Sequence, residues 1–191
     1  MKKKFTIATL IVVCISLALA SFLHYYQNQK EIEQYAFTMD SANGKVSLSD
    51  FDGKYKIIYF GYTYCPDVCP TTLSLVAAAL KKLPKAKAKK FQLIFVSVDP
   101  KRDKLQNLKE YINYFYKGAI GVTTTNQKYL KQITAKYGAY YSYQYVKNSK
   151  TDYSVAHTSF VYIMGKNGKL NNKLSHLERM SDILNVLKKL P

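Results

Sequence analysis

Two cysteines separated by three residues, in Tyr62-Thr63-Tyr64-Cys65-Pro66-Asp67-Val68-Cys69-Pro70, are the side chains best suited to chemistry in this chain. The thiolate is the form that attacks disulfides and binds metals. Ile57 to Phe60 is an aromatic and β-branched run that predicts a buried strand ending at Gly61. Thr71 to Leu80 is a good helix former, so both thiols fall at a strand-to-helix junction, where proline is tolerated. Free backbone N–H groups and the positive end of the helix dipole favour thiolate there. Cys-x-x-x-Cys is one residue wider than the usual redox pair. It can close a disulfide, or splay two sulfurs around a soft ion at about 2.3 Å each for zinc, with a similar length for Cu(I). Thiolates select Cu(I) or zinc over hard ions. A purely structural cystine is the competing reading, but so short a loop makes a poor staple.

Two sulfurs are few for a stable metal site, so a third ligand is sought elsewhere. The three histidines are His24, beside an apolar N-terminal segment, His176, in a polar stretch before the last helix, and His157. His157 stands at the mouth of a late strand, and imidazole suits copper and zinc. Residue types alone leave two readings of it open: a ligand that reaches the cysteines, or a surface or capping histidine.

The elements that must position these side chains read as follows. Asn43-Gly44 predicts a hairpin turn between Phe37–Asp40 and Val46–Leu48. Phe91 to Val98 is a second buried strand, ending at Asp99-Pro100. Asp103 is placed to cap a helix over 105–115, with Leu105, Leu108, Ile112 and Phe115 on one face. Ile120 to Thr124 is extended, and a helix over 126–137 is stopped by Gly138. Tyr140 to Val146 is strand-like, Lys147 to Asp152 a polar loop, and Val155 to Met164 one further strand. Lys166 to Lys169 turns it back, and a last helix covers 178–189 with Ile183, Leu184 and Leu187 inward. This order predicts an α/β sandwich of thioredoxin type with an N-terminal β-hairpin, whose chemistry gathers beyond the carboxyl ends of parallel strands.

With 191 residues there is room for one domain and a small appendage. The predicted division is a membrane anchor or signal peptide over 1–23, a spacer over 24–36 and the folded domain over 37–191. Lys2, Lys3 and Lys4 precede a charge-free run from Phe5 to Leu23, about the length needed to span a bilayer. Ala18-Leu19-Ala20 fits a signal cleavage site, but the apolar run continues through Phe22 and Leu23, which favours an uncleaved anchor. The lysines hold the N-terminus inside, so the domain is exported to a compartment where thiols can be oxidised. Cys14 follows Val13, not the small residue of a lipoprotein site, and reads as membrane-facing filler. The net charge of +17 comes mostly from dispersed lysines. No zinc-finger spacing or aromatic-glycine RNA motif accompanies it, so nucleic acid is not an expected partner. The patch Lys81 to Lys90 could aid docking on an acidic protein.

Phe60 to Pro70, Val96-Ser97-Val98-Asp99-Pro100-Lys101-Arg102-Asp103 and His157-Thr158 together resemble the Sco/SenC family of copper-handling thioredoxin-like proteins, from about Phe37 to the C-terminus. The resemblance implies that Cys65, Cys69 and His157 bind one copper ion, Cu(I) being the expected state. It implies a single-pass protein of the bacterial inner membrane with a periplasmic domain. It also implies a role in building the dinuclear copper centre of cytochrome c oxidase subunit II, as copper donor or, alternatively, as a thiol-disulfide oxidoreductase that uses Cys65 and Cys69 on that subunit's cysteines. One departure is Ala156, where the family often carries an acidic residue before the histidine. Asp99 and Asp152 then remain as outer partners of the site, and Asp67 adds charge near the ion or caps the helix.

Overall fold

In a computed structural model, the structure describes residues 2–145 and 153–191, with side chains from residue 11 onward. The chain divides into two compact units, Met1–Gln34 and Tyr35–Pro191. The first is almost wholly one helix, α1 (Lys2–Tyr35). Within it, Ile11–Tyr35 is long and apolar enough to cross a membrane, and Ile11, Val12, Ile15, Leu17 and Phe22 are exposed. Thirty-four helical residues extend about 51 Å, more than the roughly 30 Å of a hydrocarbon core. The polar stretch from His24 onward continues the same helix.

The second unit begins with a hairpin, β1 (Thr38–Ser41) and β2 (Gly44–Ser47), followed by a 3-10 turn at Leu48–Phe51. Gly44 has φ 113°, the conformation that the Asn43-Gly44 turn requires. Then come β3 (Tyr55–Gly61), α2 (Val68–Lys81), a one-turn α3 (Lys85–Ala88), β4 (Phe91–Ser97), α4 (Leu105–Phe115), β5 (Ile120–Thr123) and α5 (Gln127–Lys136). The chain finishes with β6 (Tyr141–Tyr145), β7 (Tyr153–His157), β8 (Phe160–Met164), β9 (Leu170–Ser175) and α6 (Met180–Lys189).

Among the described residues, seven strands form one sheet in the order β2-β1-β5-β4-β3-β8-β9. The three central strands are parallel, with Gly61 level with Ser97 across the β3–β4 pair. On the other side of β3, β8 is antiparallel, so it begins where β3 ends. β3 and β4 are buried at every position, as strands covered on both faces must be. Successive side chains alternate between faces. Tyr59 therefore stacks on Phe95, which meets Tyr111 of α4, while Phe60 meets Tyr137, just beyond α5, and Tyr162. Lys56 is also fully buried in β3, and its ammonium reaches the Asp52 carboxylate at 2.9 Å and the Lys166 carbonyl at 3.1 Å.

This is the expected thioredoxin-type sandwich, with three corrections. The strand expected over 155–164 is two strands: β7 pairs with β6 in a separate two-stranded sheet, and the main-sheet strand β8 starts only at Phe160. No glycine or proline interrupts Val155 to Met164, and the change of partner carries no local signal. Asp103 does not cap α4. Lys104 holds the N-cap position, and the Asp103 carboxylate instead accepts from Thr63 N–H, Thr63 Oγ1 and Ser97 Oγ. The last helix begins at Met180, two residues later than expected. The polar loop read over 147–152, and Asp152 with it, lies outside the described residues.

Candidate metal centre

Cys65 lies in the turn after β3 and Cys69 in the first turn of α2, at the carboxyl end of a central parallel strand. Both are free thiols, Cys65 half-buried and Cys69 fully buried. The Cys69 backbone N–H points at Cys65 Sγ, 3.4 Å away, which is how an α2 N-terminus stabilises a thiolate. The two thiols divide the charge. The hydrogen bond from the Cys69 thiol holds Cys65 well below the ordinary thiol range against the opposing effect of burial, aided by the Cys69 and Asp67 N–H groups. The same bond to Cys65, then burial and the Cys65 charge, push Cys69 far up.

Seating Cys69 depends on Gly61. A Cβ built there would stand 2.8 Å from Cys69 Sγ, 2.9 Å from Phe95 and 3.2 Å from Tyr59, all in the packed interior. Gly61→Ala is therefore expected to lower stability by about 1–3 kcal/mol through overpacking and to displace the sulfur. Thermal unfolding and copper affinity should fall together, and an unchanged copper affinity would show that the sulfur's seat tolerates a methyl group.

His157 comes from β7, far along the chain, and reaches the thiols because of strand direction. Only Thr158 and Ser159 separate it from β8, whose first residues lie beside the end of β3, where the cysteine turn begins. Its Nε2 is 3.3 Å from Cys69 Sγ. Its Nδ1 is 3.1 Å from the Thr158 carbonyl. A carbonyl only accepts, so the Nδ1 proton is donated there, and in the neutral ring the lone pair on Nε2 faces the sulfurs. Tyr59 and Tyr62 flank the imidazole edge-on, with ring centroids 6.3 and 5.8 Å away.

The ligand atoms of Cys65, Cys69 and His157 all lie within 4.8 Å of one another. Two sulfurs and an imidazole nitrogen with a free lone pair fit a soft ion such as Cu(I), and zinc less selectively. The other expected participants lie elsewhere. Among the hydrogen bonds of the described residues, His176 donates its backbone N–H to Ser159 in a turn and takes no part in the cluster. Asp99 does not meet His157; its carboxylate accepts from Arg102 Nε and Tyr153 Oη. The Thr158 carbonyl occupies the outer position against Nδ1 instead. Asp67 holds the N-cap position of α2 without a side-chain bond to the backbone, and its Oδ1 accepts from Thr71 Oγ1 at 3.2 Å. Sequence reasoning missed Gly61, Tyr62 and Arg102 as parts of the site. The only available signal was their place inside the two motifs already singled out.

Comparisons with known proteins give the chain's relatives. The family model described as SCO1/SenC matches residues 25–191. An SCO2-like protein of Rickettsia conorii is 36% identical over 134 residues, which make up 70% of this chain and 64% of the relative. The chain thus spans less than two thirds of that relative's length. A putative copper-binding protein of Stutzerimonas stutzeri is 32% identical over 151 residues, 78% of this chain and 72% of the relative. Among solved structures, Arabidopsis thaliana ScoI with copper bound superposes with a TM-score of 0.73 at 30% identity, covering 80% of this chain and 94% of that one.

Proposed function

The chain belongs to the SCO1/SenC family, and from that premise we propose that it is a membrane-tethered copper chaperone whose cargo is held by Cys65, Cys69 and His157. The observation that carries this reading is the convergence of two sulfurs and Nε2 within 4.8 Å. Cu(I) is the proposed state, because two thiolates and one imidazole suit a soft monovalent ion. Three protein donors leave room for a thiolate from an acceptor, so the ion can pass between proteins without being released.

The proposed acceptor is the dinuclear copper site of cytochrome c oxidase subunit II. A homologous structure is described as a member of the Sco family of cytochrome c oxidase assembly proteins. In this reading residues 1–23 anchor the chain in the bacterial inner membrane, 24–36 space it from the lipid, and 37–191 form the copper-binding domain on the periplasmic side. Tethering raises the effective concentration of the carrier near a membrane-bound acceptor.

Titration of the reduced full-length chain in detergent with Cu(I), against a competing chelator, tests the proposal. One tightly bound equivalent is expected, lost on oxidation of the cysteine pair and transferred to a copper-free subunit II domain on mixing. No bound copper, or copper unaffected by oxidation, would overturn it.

A second reading, thiol-disulfide oxidoreductase, is favoured by the asymmetry of the thiols. Cys65 is the more accessible and is held toward the thiolate by its hydrogen-bond donors, whereas burial and the neighbouring sulfur push Cys69 toward the thiol. That is the arrangement of an attacking and a resolving cysteine. The two activities are compatible, since copper needs the reduced pair.

A further inference from the structure

We propose that Arg102 is the positioning residue that clamps the His157-bearing hairpin to the cysteine turn, and so sets the copper affinity without touching the ion. The inference rests on the metal reading above.

Among the described residues, β6 and β7 pair only with each other, so the two-stranded sheet that carries His157 is not held by the main sheet's hydrogen-bond ladder. Side chains help to dock it instead, and one cluster of them surrounds a guanidinium. Arg102 Nε donates to Asp99 Oδ2 at 2.5 Å, and Nη1 donates to the Tyr153 carbonyl of β7 at 2.9 Å. Tyr153 Oη in turn donates to Asp99 Oδ1 at 2.7 Å, closing a ring in which a fully buried carboxylate is shared by arginine and hairpin. The guanidinium also lies 3.8 Å from the Tyr153 ring centroid. Tyr64, adjacent to Cys65, lies 4.9 Å from it and Tyr62 5.7 Å. Tyr62 is the ring that meets His157 edge-on. A single side chain therefore touches both segments that supply ligands, and Asp99 fixes it to the end of the sheet.

Tyr143 Oη adds a bond from β6 to the Val98 carbonyl, so the hairpin is not loosened entirely when Arg102 is lost. Tyr62 also joins the cysteine turn to β7, through the Val155 backbone and the His157 ring; what Arg102 adds is a link to both segments that is anchored on the buried Asp99 carboxylate. Its planar fork suits this role: one edge donates to a carboxylate and a carbonyl while the face stacks on aromatic rings. Lysine cannot do both.

The test uses the full-length chain in detergent, reduced, with Cu(I) and a chelator. Arg102→Met and Arg102→Lys are each expected to weaken copper binding about 10- to 100-fold, the range for outer partners of a metal ligand. Added free imidazole should restore most of the lost affinity, as it should in His157→Ala, because the vacancy lies at the nitrogen position. Affinity within twofold of the unmodified chain would overturn the inference. So would a loss that imidazole does not repair, which marks general damage to the fold. Should both arginine variants fail to fold, Tyr153→Phe carries the test: it removes one hydroxyl from the ring, and a loss repaired by imidazole is again required. If His157→Ala itself binds copper normally, the metal reading fails, which is a distinct result.

Discussion

Cys69→Ser should abolish copper binding while leaving the fold in place. Cys69 is fully buried, and its sulfur stands 3.3 Å from Nε2 and against Gly61. Serine is smaller and fits the same space. The hydroxyl is a hard, neutral donor that does not ionise at neutral pH, so one of the two soft ligands is lost. A loss on the order of 1,000-fold in Cu(I) affinity is expected, equivalent to about 4 kcal/mol. The same change removes the resolving thiol, so a mixed disulfide formed at Cys65 should accumulate on addition of a disulfide substrate. Chelator competition and mass spectrometry read the two effects separately. Full copper retention in Cys69→Ser would exclude the buried sulfur as a ligand.

His157→Ala separates the two functional readings. The imidazole is half-exposed at the end of β7, and its Nδ1 bond goes to the carbonyl of its own neighbour. Its removal therefore costs the fold little. The thiol pair keeps its place at the α2 N-terminus and the N–H donors that favour a Cys65 thiolate. A carrier loses a third of its ligand set, and stoichiometric copper binding is expected to disappear in the presence of chelator, a fall of about 100-fold or more corresponding to about 2.7 kcal/mol. A reductase has no need of the imidazole, so disulfide reduction should persist near its original rate. Copper binding at undiminished affinity would remove His157 from the site and count against the metal reading.

Much of the local structure was determined by the amino-acid sequence alone. The runs Ile57–Phe60 and Phe91–Val98 are largely apolar because both faces of a central parallel strand are covered, and they fall in strands β3 and β4. Asn43-Gly44 specifies its turn through a positive φ that glycine tolerates. Pro66 and Pro70 bracket the start of α2, which places the cysteines at a helix N-terminus. These features depend on a few neighbouring residues, so a linear reading can capture them.

Tertiary structure decided which distant side chains meet. The direction of β8 is not written in its composition, since Phe160 to Met164 would suit a parallel strand equally well. Because it runs antiparallel to β3, its beginning lies beside the end of β3 and carries His157 to the thiols. The exchange of sheets between β7 and β8 is likewise a matter of partner choice. Asp103 has a helix-capping sequence context and serves Thr63 and Ser97 instead, because a buried carboxylate goes where donors are densest. Arg102 reads as one more surface charge in a basic chain. Its role arises only where Asp99, Tyr153, Tyr62 and Tyr64, drawn from three segments, surround it in space.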